Sequence, residues 1–172
     1  MVKALQQTEV LIVGAGPAGL AVAACLKRTG KSFVILEREA QVGSSWRTHY
    51  DRLHLHTDRA HSSLPGYKLP DSYPRYPARQ QVVDYLDDYA RHYDLHPHFH
   101  EEVRDARRLN GHWEVTSSEG TYRAKALVVA SGYNNIPQIP TWPGQDTFQG
   151  RILHSKHYRN GAVFKDKDVL VV

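Results

Sequence analysis

The sequence predicts an α/β fold, Rossmann-like, built on a parallel βαβ sheet with a small antiparallel β-meander. Three observations predict it. The apolar run Val10-Leu11-Ile12-Val13 stops at Gly14-Ala15-Gly16-Pro17-Ala18-Gly19, a G-x-G-x-x-G pattern that opens an Ala- and Leu-rich stretch. A second apolar run, Phe33-Val34-Ile35-Leu36, ends on the acid Glu37. Further on, Asn110-Gly111 separates two segments of strand character, and Asn-Gly is a strong hairpin signal.

Residues 10–13 are short and β-branched, as a strand buried on both faces of a parallel sheet should be. In the turn that follows, Gly14 permits the tight bend. Gly16 lets the backbone approach a pyrophosphate, and Gly19 lets the helix pack on the sheet. The helix runs from about Pro17 to Arg28, with proline in its first turn where the missing N–H is harmless, and ends near Gly30. Its N-terminus aims N–H groups and a partial positive charge at a bound phosphate. Glu37 follows Gly19 by 18 residues, close to the roughly twenty-residue spacing that places a carboxylate on a ribose 2′-hydroxyl. That carboxylate would repel a 2′-phosphate, so FAD or NAD fits this unit better than NADP.

Residues 38–78 are irregular and rich in His, Tyr and Pro; a connection of that length with so many aromatics reads as an ordered, cofactor-covering segment. From 78 to 93, Val82, Tyr85, Leu86, Tyr89 and Tyr93 recur at helical spacing. That helix would be the crossover to a third strand over 99–103, completing a right-handed βαβ arrangement. Short antiparallel strands are expected at 106–109, 112–117 and 121–124, with turns at Asn110-Gly111 and Glu119-Gly120. ALVVA, residues 126–130, reads as another buried strand, broken at Ser131-Gly132 before the proline-rich IPQIPTWPG. A short strand is expected at 151–153, and Asp168-Val169-Leu170-Val171-Val172 has the apolar character of a buried strand. Without neighbours, such a segment either frays or pairs with an exposed strand edge, for instance in another copy of the chain.

With 172 residues, the chain can build one sizeable core. The net charge of +4 comes from bases interspersed with acids, which argues against nucleic-acid or membrane partners. The single cysteine, Cys25, has no internal disulfide partner and reads as a small core residue. No signal-like segment precedes the first strand and no apolar stretch is long enough to span a bilayer, so a cytoplasmic location is the default expectation. His96, His98 and His100 alternate, so a strand would put all three on one face; with Pro97 and polar neighbours the stretch reads as a solvated strand entry, and a metal-binding module is the rival reading.

Several motifs together resemble the flavin-containing monooxygenases, in particular the YUCCA-type enzymes. Besides VGAGPAG, they are Gly43-Ser44-Ser45-Trp46, Tyr50-Asp51-Arg52-Leu53-His54-Leu55-His56-Thr57, and Tyr76-Pro77-Ala78-Arg79-Gln80-Gln81. Ala130-Ser131-Gly132, followed by Pro137 and Pro140, looks like that family's Ala-Thr-Gly linker. Phe148-Gln149-Gly150-Arg151-Ile152-Leu153-His154-Ser155-Lys156-His157-Tyr158 matches its F-x-G-x-x-x-H-S-x-x-Y fingerprint and is the most specific of these. Ser44 and Ser131 are small departures, from glycine and threonine.

The resemblance implies an FAD-binding domain in a monooxygenase that uses NADPH and O2 on a small-molecule substrate. The hard chemistry there belongs to the flavin, so binding residues are expected and no catalytic side chain. They are Gly14, Gly16, Pro17, Ala18 and Gly19 at the pyrophosphate and Glu37 at the ribose. Arg38 lies along the adenine or in solvent, and Ser45, Trp46 and His56 lie near the flavin. Val103, Ala130, Ser131 and Gly132 complete the cofactor-binding set. His154 and His157 are structural in this reading, with a general-base role as the alternative. Members of the family continue from a strand like Val169 to Val172 into a second G-x-G-x-x-G that opens an NADPH domain. The fold is therefore expected to be incomplete on its C-terminal side. Residues 1–147 form the first segment of the FAD domain, 148–167 the fingerprint and linker, and 168–172 the first strand of an NADPH domain. A non-enzymatic nucleotide-binding fragment, or a reductase with two dinucleotide sites, are the alternatives.

Overall fold

The computed structural model describes residues 5–133 and 136–172. Strand β1 (Gln6–Val13) leads into helix α1 (Pro17–Arg28) and strand β2 (Phe33–Leu36), the expected unit with its first strand longer at the N-terminal end. Alanine and leucine suit α1 intrinsically, and Pro17 stands at its first position. Its far end closes as a Schellman motif. Gly30, at φ +70°, donates to Lys27 O at 3.1 Å, while Lys31 N–H reaches Leu26 O at 3.1 Å.

Helix α2 (Ser44–Thr48) and a 3-10 turn (Arg59–His61) lie within the stretch read as irregular. That stretch is ordered, with Tyr67 and Tyr73 against the main core. Helix α3 (Arg79–His92) buries Val82, Val83, Tyr85, Leu86, Tyr89 and Ala90. Its start is capped where Ala78 N–H donates to the Gln81 side chain at 2.9 Å.

Strands β3 (Val103–Leu109), β4 (His112–Ser117) and β5 (Thr121–Val129) complete one five-stranded sheet in the order β2-β1-β5-β4-β3. β1 is central to the parallel half, with Val10↔Phe33 to Val13↔Leu36 on one side and Val10↔Ala126 to Val13↔Val129 on the other. The β3–β4 turn has Asn110 at φ +50° and Gly111 at φ +81°, the double left-handed geometry that matches hairpin twist. One face of the sheet packs Ile12 and Ile35 against Leu20, Ala23 and Ala24 of α1 and Leu86 and Tyr89 of α3. The other gathers Leu11, Leu36, Val115, Tyr122 and Ala124.

Four expectations need correction. The strands expected at 121–124 and 126–130 are one element, β5, whose first half pairs with β4 while its length runs parallel to β1. The third parallel strand at 99–103 is reduced to a single bridge, Leu36↔His98. Pro97 offers no N–H to a ladder, and His100 at φ +58° turns the chain away before β3 starts. Cys25 is exposed, because α1 turns Ala23 and Ala24 inward and leaves the next position to solvent. Residues 151–153 carry no strand; residues 168–172, expected without neighbours to fray or pair elsewhere, are exposed and carry none either.

Candidate nucleotide-binding site

The carboxyl ends of β1 and β2 bring the glycine loop and Glu37 together, the edge at which open α/β sheets bind ligands. Gly14 has φ +103°, and a Cβ there would lie 2.5 Å from Ala130 O and 3.4 Å from Ser131 Cα. A Cβ on Gly19 would lie 2.0 Å from Gly14 O. Both glycines are demanded by packing. Gly16 differs, since a Cβ there would meet nothing within 4 Å. The loop is therefore sealed against the protein at its two ends and open at its middle, the shape a bound phosphate group needs. Helix α1 has no side-chain cap and no acid in its first turn, so no side chain of its own offsets the positive end of its dipole.

Glu37 is half-buried, and its carboxylate is a hinge between loop and strand: Oε2 accepts from Ala15 N–H at 2.7 Å and Oε1 from Glu39 N–H at 2.9 Å. From the other side, Gly43 N–H donates to Ala15 O at 3.0 Å. Gly43 is left-handed, at φ +64°, with Leu86 Cδ1 2.7 Å from where a Cβ would stand, so it starts α2 in close contact with α3. Trp46 N–H returns to Gly43 O at 2.9 Å, which places Ser45 exposed and Trp46 half-buried one turn from the glycine loop. Arg47 fastens α2 to α3 through Asp87 at 2.6 Å and to Val42 O at 3.1 Å.

The far end of α2 is held by a residue distant in sequence. Arg159 Nη1 donates to Thr48 O and His49 O, both at 2.8 Å, while Asn160 Nδ2 reaches Asp51 Oδ2 at 2.8 Å. The docking on the loop that begins the YDRLHLHT segment thus comes from Arg159 and Asn160, just past the fingerprint. Its His154 accepts from Lys156 N–H at 3.1 Å, a local structural bond, and His157 is exposed.

Of the residues expected from sequence, Gly14, Gly16, Pro17, Ala18, Gly19, Glu37, Ser45, Trp46, Ala130 and Ser131 are linked by this geometry, with Gly132 next in line at φ +77°. The contacts that link them do not include Arg38, His56 or Val103. Arg38 is exposed, 3.1 Å from Glu39 and 3.9 Å from Glu102; His56 is exposed; Val103 packs under the second core cluster. His96 pairs with Asp94 at 2.7 Å while His98 turns to Tyr122 at 3.2 Å, so the alternating histidines do not converge. Among the described residues no group of three or more metal-ligating side chains gathers, and no helix is long and apolar enough to cross a membrane. Ala15, Gly43 and Arg159 carry much of the geometry without having been singled out for it. Gly43 had a readable signal, a glycine at the head of a helical stretch, whereas the partners of Arg159 lie over a hundred positions away.

Comparison with known proteins bears out the resemblance. The profile of the pyridine nucleotide-disulphide oxidoreductase family matches residues 11–172. An indole-3-pyruvate monooxygenase of Arabidopsis thaliana, YUCCA6, is 45% identical over 96% of this chain and 42% of its own length. A flavin-containing monooxygenase from Stenotrophomonas maltophilia superposes with a TM-score of 0.84 at 33% identity, over 92% of this chain and 48% of that one. The bacillithiol disulfide reductase of Staphylococcus aureus superposes with a TM-score of 0.69 at 26% identity, over 74% and 39%. The chain spans less than half the length of these relatives.

Proposed function

The chain belongs to the pyridine nucleotide-disulphide oxidoreductase family, and we propose that it builds the FAD-binding part of a flavin-dependent monooxygenase. The complete enzyme would use NADPH and O2 to oxygenate a small organic substrate, with a keto acid of the kind named for the plant relatives as the first candidate. One observation carries this reading: the loop tight at Gly14 and Gly19 and open at Gly16, held by Glu37 through Ala15, in a chain 45% identical to a monooxygenase.

When bound, the flavin supplies the redox and oxygen chemistry. The residues of this chain bind and orient it. The first turn of α1 offers N–H groups to the pyrophosphate, and Gly16 permits the close approach. Glu37 Oε1 and Oε2 are acceptors for ribose hydroxyls and remain anchored by the Ala15 and Glu39 amides. Helix α2 carries Ser45 and Trp46 towards the isoalloxazine, and Arg47, Asp87 and Arg159 keep it in place. Ala130 and Ser131 close the loop from the end of β5.

The likeness to the bacillithiol disulfide reductase keeps a two-nucleotide reductase as a second reading. Both readings require the same flavin. Denaturing the purified protein and identifying the released nucleotide by absorbance and mass should yield FAD. Release of NAD alone, or titrations showing tight NAD and no FAD binding, would overturn both.

A further inference from the structure

Glu101 is a carboxylate in the core, 3% exposed, with Ser117 beside it at 5%. A buried charge is costly unless it is fully hydrogen-bonded. This one is well partnered. Its Oε1 accepts from Ser117 Oγ at 2.5 Å and from the Tyr122 hydroxyl at 2.8 Å, and its Oε2 lies 3.5 Å from His98 Nδ1. Burial first, then the Glu101 carboxylate, pushes the Tyr122 phenol up, which keeps Tyr122 a donor.

Its backbone points at the other half of the molecule. Glu101 N–H donates to Glu37 O at 2.9 Å, Glu37 N–H to His98 O at 2.9 Å, and His98 N–H to Ile35 O at 2.8 Å. The turn 98–101 therefore brackets Glu37 on both sides, in the place where a third parallel strand was expected. That turn has one bridge and no ladder of its own. Besides its backbone bonds to Ile35 and Glu37 and that of His100 N–H to Glu39 O at 3.2 Å, it is tied to the meander by the carboxylate of Glu101, which reaches Ser117 on β4 and Tyr122 on β5.

We propose that Glu101 is a positioning residue for the nucleotide site: anchored in the meander, it sets the 98–101 turn and through it the place of Glu37, whose carboxylate meets the glycine loop. The proposal rests on reading Glu37 as the ribose ligand. Its test is a double-mutant cycle on the full chain, with FAD as the probe. Glu101→Ala should weaken FAD binding about tenfold, and in a Glu37→Ala background it should cost less than about twofold more. Glu101→Gln keeps an acceptor for Ser117 and Tyr122 and should stay within about threefold of the parent. In the ligand-free protein, hydrogen exchange at the Ala15 amide should speed up in Glu101→Ala and not in Glu101→Gln. Should Glu101→Ala not fold, Tyr122→Phe removes one anchor and should move the same two readouts in the same direction. Equal losses in both backgrounds, or an Ala15 amide indifferent to these changes, overturn the proposal. If the parent binds no FAD yet the Ala15 amide still responds, positioning stands and the identity of the ligand falls.

Discussion

Two runs of nearly the same composition, Val10-Leu11-Ile12-Val13 and Val169-Leu170-Val171-Val172, have opposite fates. In the first, Leu11 and Ile12 are 0% exposed; in the second, Leu170 is 87% and Val171 88% exposed. Intrinsic strand preference cannot separate them, because each is apolar throughout and β-branched at three of its four positions. Neighbours separate them. β1 lies between β2 and β5 with a parallel ladder on each side and α1 across one face, whereas 169–172 pair with no strand among the described residues. An apolar run specifies a strand only where the rest of the fold supplies the ladder and the cover.

Substitutions in the first run should have the largest effect on the comparison. Leu11→Ala removes a fully buried side chain from the second core cluster and should cost about 2–5 kcal/mol in urea unfolding. A cost below about 1 kcal/mol would mean that this strand is not the central element it is taken to be.

The glycine loop sharpens the same contrast within a single turn. Gly14→Ala forces a Cβ onto Ala130 O from a left-handed backbone and should cost about 1–3 kcal/mol of stability. Gly16→Ala meets open space and has an extended backbone (φ −79°), so stability should stay within about 0.5 kcal/mol while FAD affinity drops. If both substitutions destabilise alike, the loop is a structural turn and Gly16 does not face a ligand.

At the end of β2, Glu37→Ala should weaken FAD binding by about 1.5–3 kcal/mol through loss of a charge-assisted hydrogen bond to ribose, read by isothermal titration. An unchanged dissociation constant in a folded variant would leave Glu37 only its bonds to the Ala15 and Glu39 amides.

The first unit and α3 were legible because each is specified locally: glycines at fixed offsets, a terminal acid, and apolar residues at helical spacing from Val82 to Tyr89. Asn110-Gly111 was legible for the same reason. What escaped depends on distant partners. Nothing local in HFHEEV says that Glu101 is buried; that follows from Ser117 and Tyr122 meeting it across the sheet. Arg159 looks like one more surface base until its carbonyl partners at 48 and 49 are in place. The apolar neighbours of Cys25 suggest an inward position, but the helix period puts Ala23 and Ala24 on the buried face and Cys25 off it. The polar residues Arg123 and Lys125 interrupt the apolar pattern of β5 and make it read as two strands, although it pairs with β1 from Tyr122 to Val129 and with β4 over Thr121 to Ala124.

The smallest effect should come from the second run, and it tests the comparison most directly. Leu170→Ser replaces a side chain that is 87% exposed, so it forfeits little burial and should change unfolding free energy by less than about 0.5 kcal/mol. The backbone amides of Val169 to Val172 should exchange with solvent at nearly unprotected rates, since no strand ladder covers them. Four exposed apolar residues are also a template for pairing with another strand edge, so light scattering across a concentration series belongs beside the exchange experiment. Protection that rises with concentration, and falls again in Leu170→Ser, would mean that a second copy supplies the ladder; the comparison then survives, because a neighbour still decides the fate of the run. Strong protection in a protein shown to be monomeric would sink it, since the run would have become a strand without the partners that β1 requires.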